Sequence, residues 1–132
     1  MVLAKPTTFM NDSGKAIKKL TTNYKLKTEN LFVIHDDLDL PLGKIKISFG
    51  RGSAGHKGVE SIMKELKTKD FTRFRLGIQN KKVKAKSTKE FVLQNFSMQE
   101  EAIVKKVIQK TCQAIKLAIA EGTNKAAAEY NK

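Results

Sequence analysis

One of the chain's two histidines, His56, sits in the small-residue stretch "GSAGHKG" (52–58), where missing side chains let backbone approach a ligand closely. An imidazole there could move a proton, hold a phosphate or simply fill a loop. A general base also needs an orienting carboxylate and a group that holds substrate. Carboxylates gather at the other histidine: His35 is followed by Asp36, Asp37 and Asp39. This cluster reads as a carboxylate that orients an imidazole or as a solvated turn before Pro41 and Gly43. A hard-metal site is the third reading, disfavoured because the ligands crowd one short segment with no distant partner.

Other residues could bind rather than react. Asn11 follows a short apolar run and precedes a helical pattern, so it is either an N-cap or a polar group aimed at substrate. Arg73 and Arg75, two apart on a strand, share a face and could grip a phosphate with planar guanidinium groups. Lys81, Lys82, Lys84 and Lys86 follow them, as phosphate contacts or as a solvated loop. The glycine-rich loop before a helix is an anion site on general grounds. It lacks the GxxxxGK[ST] spacing of a nucleotide P-loop, which disfavours NTP binding.

The elements that must position these residues follow from periodicity. Residues 2–4 suggest the end of a strand, stopped at Lys5-Pro6. Ala16, Ile17 and Leu20 give helical spacing after the capping candidates Asn11, Asp12 and Ser13, up to about Tyr24. Leu31–Ile34 reads as a buried strand ending at His35-Asp36, which would place the acidic run at a strand's carboxyl end, where α/β proteins bind ligands. Ile45, Ile47 and Phe49 alternate with Lys44, Lys46 and Ser48 as a half-buried strand. A helix then places Val59, Ile62, Met63 and Leu66 on one side, and "FRLGI" (74–78) is a further strand. Ser97 is expected to cap a long helix to about Ala120, whose core stripe would be Ile103, Val104, Val107, Ile108, Cys112, Ile115 and Ile119. Gly122 stops it, and residues 121–132 form a weak helix or tail. Strands alternating with helices predict an α/β fold with a partly parallel sheet, as a single domain over 1–132.

The totals narrow the function. Twenty-six Lys+Arg against 13 Asp+Glu give a net charge of +13 over 132 residues, which favours a polyanionic partner; lysine-rich solvated faces are the plainer explanation. Trp is absent and aromatics are few, so phosphate contact fits better than base stacking. No apolar run reaches about 18 residues, which excludes a membrane-spanning helix. The N-terminus "MVLAKPTTF" carries no export pattern, and the single Cys112 forms no internal disulfide and reads as a core residue. A cytoplasmic setting is expected.

In order along the chain, "KPTTFMNDSGKAI", "HDDLDLPLGKIKI", "GSAGHKGVESI", "DFTRFRLGI" and "EFVL" resemble the bacterial peptidyl-tRNA hydrolase family. The resemblance implies a twisted mixed β-sheet flanked by helices, and hydrolysis of the ester joining a peptide to the tRNA 3′ ribose, without metal or cofactor. It also implies a tRNA partner, no membrane and a monomer. By the same resemblance Asn11 orients substrate, Asp36 orients the catalytic histidine, His56 helps bind substrate and Arg75 grips tRNA phosphate. Lys57 stands where the family has a functional asparagine, Ser48 where some members have a second basic clamp, and "GIQN" replaces a more usual "GIG-P". The family's opening "GLGNPG…Y…TRHN.G" segment, with the general-base histidine and a central strand, has no counterpart here. The chain is therefore expected to be an N-terminally truncated enzyme of doubtful activity or a non-catalytic RNA-binding module on the same fold. In the short form Leu31, Val33 and Ile34 would be less covered, with a tendency to self-associate.

If the basic excess serves tRNA phosphates, affinity should fall roughly tenfold or more between about 50 mM and about 200 mM salt. Arg75→Ala should weaken all tRNAs alike. A filter-binding titration showing little salt dependence would identify the basic face as mere solvated surface.

Overall fold

The computed structural model describes residues 1–79 and 96–132; the lysines at 81, 82, 84 and 86 and the "EFVL" motif lie outside the described residues. The chain divides into two compact units, one of Met1–Phe32 with Phe49–Thr72 and the other of Val33–Ser48 with Arg73–Lys132.

The first unit is built around two helices. A 3-10 turn, Met10–Asp12, leads into α1, Ser13–Asn23, and α2 covers Lys57–Leu66. Asp12 occupies the N-cap position of α1 but makes no side-chain cap bond. The acceptor comes from the other helix: the Ser61 hydroxyl of α2 takes the Gly14 N–H at 2.8 Å. Gly14 makes this possible because a Cβ there would collide with the Ser61 carbonyl. On α2, Val59 and Ile62 are buried, in keeping with the apolar spacing. Lys67, in the left-handed region at φ 54°, ends that helix. Residues 2–4 form no strand and Leu3 is exposed. A short apolar run becomes a strand only where a neighbour completes its ladder of hydrogen bonds, and no described strand does so.

The second unit contains most of a three-stranded sheet in the order β1–β3–β2, with β1 at Phe32–Pro41, β2 at Ile45–Phe49 and β3 at Thr72–Gln79. Cross-strand partners His35–Arg73 and Asp37–Arg75 rise together, so β1 and β3 run parallel. Leu42 N–H donates to Gln79 O and Gly77 N–H to Lys44 O, an antiparallel relation on the other side of β3. The sheet is therefore mixed and the fold α/β. β1 continues through the acidic run instead of stopping before it, with Asp37 still facing Arg75 of its neighbour β3. Asp36, Asp37 and Asp39 thus lie within a strand, not at its end. Ile34 is exposed rather than buried, since β1 is an outer strand of the described sheet. Ile45 and Ile47 are buried as their alternation predicts, but Phe49 is exposed and Ser48 is buried; Ser48 is drawn in by a hydrogen bond to Arg75.

Ser97 caps the long helix α3, Met98–Glu121, through a reciprocal pair in which Ser97 Oγ accepts from Glu100 N and Glu100 Oε1 accepts from Ser97 N. This is the capping box, which satisfies two otherwise orphaned N–H groups. Gly122, at φ 97°, separates α3 from α4, Thr123–Tyr130. α3 buries Val107, Thr111, Ala114 and Ala118. The expected stripe is displaced by one residue: Ile108 is 49% exposed, Ile119 58%, and Cys112 is exposed too. The buried face carries small residues, and Ala126 of α4 is fully buried, so α3 and α4 approach along side chains that permit close contact. Bulk at Ile108, Cys112 and Ile119 lies beside that seam.

The C-terminus closes the outer edge of β2. The Asn131 side-chain amide accepts from Ile47 N–H at 2.7 Å and donates to Ile47 O at 2.9 Å, as a paired strand would. Asn131→Ala leaves both backbone groups without their partner. It should cost about 1–3 kcal/mol of stability, read as a lower urea midpoint with an unchanged m-value; an unaltered midpoint would mean the clasp is dispensable.

Candidate functional site

In the first unit, three of the residues singled out from sequence lie on two adjoining elements. Asn11 is exposed on the 3-10 turn Met10–Asp12. His56 is the N-cap of α2, and Lys57 is that helix's first residue. Gly58 joins the two elements: a Cβ at Gly58 would lie 2.5 Å from Met10 Sδ and 3.1 Å from His56 Cε1. The Met10 side chain and the His56 ring both occupy the space a larger residue would need.

His56 has a function in the fold that its sequence context did not announce. Its Nδ1 accepts the Val59 N–H at 3.2 Å, satisfying one of the orphan donors of α2. An accepting Nδ1 carries no proton, so in the neutral ring the proton resides on Nε2. Sequence signals for an N-cap favour Ser, Thr, Asp and Asn, which is why a histidine in this position was not legible. Lys57 Nζ lies 4.0 Å from Glu60 Oε2, a surface ion pair of little energetic weight, and its ammonium remains largely in solvent.

The second unit holds a polar ladder on one face of β1 and β3. His35 Nδ1 is 2.7 Å from the Asp36 carbonyl, which can only accept, so Nδ1 donates. His35 Nε2 then accepts from Arg73 NH1 at 3.3 Å, because a guanidinium can only donate. The ring is thereby held neutral, with both nitrogens engaged. Next along the strands, Arg75 Nε donates to Asp37 Oδ2 at 2.6 Å and Arg75 NH1 to Ser48 Oγ at 3.2 Å. Asp37 Oδ1 takes the Asp39 N–H at 2.8 Å, so both Asp37 oxygens are committed. Burial lowers the Arg73 pKa from its ordinary value; the neighbouring Arg75 charge adds to this and Asp37 opposes it.

Strand alternation puts His35 and Asp37 on the ladder face and Asp36 on the opposite one. Asp36 and Arg75 therefore do not form one cluster. Arg75 is largely buried and spoken for by Asp37 and Ser48 rather than extended into solvent. Among the described residues no three of His, Cys, Asp and Glu converge as metal ligands. Sequence reasoning missed Ser61 and Gly14. The signal for them was faint: a glycine early in a helix that has no strong reason to be flexible there.

A family model described as peptidyl-tRNA hydrolase matches residues 1–132. The peptidyl-tRNA hydrolase of Thermodesulfovibrio yellowstonii is 45% identical over 134 residues, covering 100% of this chain and 71% of that protein. That of Aquifex aeolicus is 44% identical over 119 residues, covering 90% of this chain and 62% of its own length. The crystal structure of peptidyl-tRNA hydrolase from Acinetobacter baumannii superposes with a TM-score of 0.85 at 27% identity, covering 96% of this chain and 63% of that one. The chain thus spans between three-fifths and three-quarters of the lengths of these relatives. On these matches, the chain belongs to the peptidyl-tRNA hydrolase family.

Proposed function

We propose that this chain binds peptidyl-tRNA and contributes the substrate-holding part of its hydrolysis, cleavage of the ester between the peptide and the tRNA 3′ ribose. The observation that carries this reading is the packing of Asn11's turn against the His56 cap of α2 within a chain that matches the family throughout. Asn11 orients the substrate by its amide. His56 meets it as a donor through Nε2–H, the tautomer that the cap on α2 imposes. Lys57 adds a cation where the family pattern has asparagine, suited to a phosphate. Arg75 contributes positive potential toward tRNA, and Asp36 orients the imidazole of a general-base histidine. The partner in this reading is tRNA and the setting cytoplasmic, and no metal or cofactor has a part.

The two histidines of this sequence are poor candidates for that base. A base must offer an unprotonated nitrogen to the attacking water. The His35 Nε2 lone pair faces Arg73 and the His56 Nδ1 lone pair holds the α2 cap. The 132-residue chain should therefore hydrolyse an N-blocked aminoacyl-tRNA about 10²- to 10⁴-fold more slowly than the Thermodesulfovibrio yellowstonii relative, the range general-base catalysis supplies. Joining a segment with the "NPG…TRHN" pattern ahead of Met1 should recover most of that rate. Turnover by the chain alone at the relative's rate contradicts the argument from the occupied histidines. A fusion that binds but stays inactive favours the RNA-binding module.

Arg75 needs a separate test, because its loss acts on the fold as well as on tRNA. Removing one partner of a buried pair strands the other charge, at a cost of about 3–5 kcal/mol. Arg75→Ala should thus lower the melting temperature strongly, and Asp37→Asn combined with Arg75→Ala should lower it by less than the two separate effects added together. Additive losses in that double-mutant cycle would show the pair to be energetically uncoupled.

A further inference from the structure

We propose that Ser61 is a positioning residue for the substrate site, acting through Gly14 on the turn that carries Asn11. This rests on the reading of Asn11 and His56 as substrate contacts. α1 begins directly after that turn, and its N-cap residue makes no side-chain cap bond. A helix start with no local cap is free to fray, and fraying would let Asn11 wander. Here the acceptor is supplied from α2: Ser61 Oγ holds Gly14 N–H at 2.8 Å. Ser61 lies five residues beyond His56, on the helix that His56 caps. One hydroxyl therefore ties the start of α1 to the element that presents His56 and Lys57.

Two features make the tie specific. The backbones meet at Gly14, where a Cβ would strike the Ser61 carbonyl, so the helices cross at a contact that tolerates no side chain. Gly58 leaves room for Met10 and the His56 ring in the same way. Ser13 Oγ closes the turn locally by donating to Met10 O at 2.7 Å, which makes residues 10–13 a compact unit that moves as one. What Ser61 holds at residue 14 is therefore transmitted to Asn11. Serine at 61 is needed for its hydroxyl acceptor, which threonine keeps and alanine discards.

The test compares Ser61→Ala, Ser61→Thr and Asn11→Ala in the 132-residue chain by two measurements. The first is amide hydrogen exchange at Gly14, expected to speed up roughly five- to tenfold in Ser61→Ala, the scale of one hydrogen bond, and to stay near the starting rate in Ser61→Thr. The second is the ratio of affinities for an N-blocked aminoacyl-tRNA and the same tRNA uncharged, which isolates recognition of the acylated end from phosphate contact. Ser61→Ala should lower this ratio as Asn11→Ala does, the double variant should lower it no further, and Ser61→Thr should restore it. If Asn11→Ala lowers the ratio and Ser61→Ala leaves it untouched despite faster exchange, the positioning role is overturned while the substrate reading stands. If neither Asn11→Ala nor His56→Asn changes the ratio, the substrate reading fails and the proposal fails with it.

Discussion

A buried peptide N–H must find an acceptor, and much of this molecule's arrangement follows from where side chains provide one. The start of α1 takes its acceptor from Ser61 on α2, and the start of α2 from the His56 ring. The outer edge of β2 is completed by the Asn131 amide, and within β1 the Asp39 N–H is held by Asp37. In most helices a local Ser, Thr, Asp or Asn does this work. Among the described helices, α3 follows that custom, through Ser97. Two of these acceptors couple distant stretches of chain: Ser61 reaches the start of α1 and Asn131 the edge of β2.

The same constraint shapes the electrostatics of the sheet. β1 brings a histidine and a carboxylate, β3 brings two arginines, and the parallel register places them opposite one another. One carboxylate faces two guanidinium groups. Asp37 neutralises Arg75 directly, whereas Arg73, at 3% exposure, donates to the neutral His35 ring. Arg73 is correspondingly the group whose pKa is drawn down, first by desolvation. A guanidinium tolerates this because its intrinsic basicity is far above neutral pH. A lysine in its place would lose its proton more readily and could not present the same fork of donors.

These engagements separate two kinds of polar residue that look alike in sequence. Asp37, Arg75 and His35 are consumed by the fold, each with its donors or acceptors directed at neighbours. Asn11 and Lys57 stay in solvent, while His56 divides its ring, one nitrogen serving α2 and the other carrying the proton. The capping bond to Nδ1 thereby selects the Nε2–H tautomer of the neutral ring.

The sequence by itself determined the membership and most of the elements. Five short motifs in order carry the family resemblance, and the apolar spacing located α1, α2, β3 and the capped α3 because hydrophobic periodicity and end signals are local properties. It also pointed to Asn11 and His56, since a glycine-rich loop and a polar residue between elements are visible without coordinates. Tertiary structure alone decided how far β1 extends, because a strand ends where its hydrogen-bonded neighbour ends and not where its residues turn acidic. It decided which face of α3 is buried: small residues at Thr111, Ala114 and Ala118 pack closely in a way that a ranking by hydrophobicity, which favours Ile108 and Ile119, does not detect. It assigned Asp37 to Arg75 and left Asp36 on the other face, a choice fixed by register across two strands. Above all it gave His56 and Ser61 their capping partners, since a hydrogen bond between separate parts of the chain depends on distance and angle, and neither is written in the order of residues.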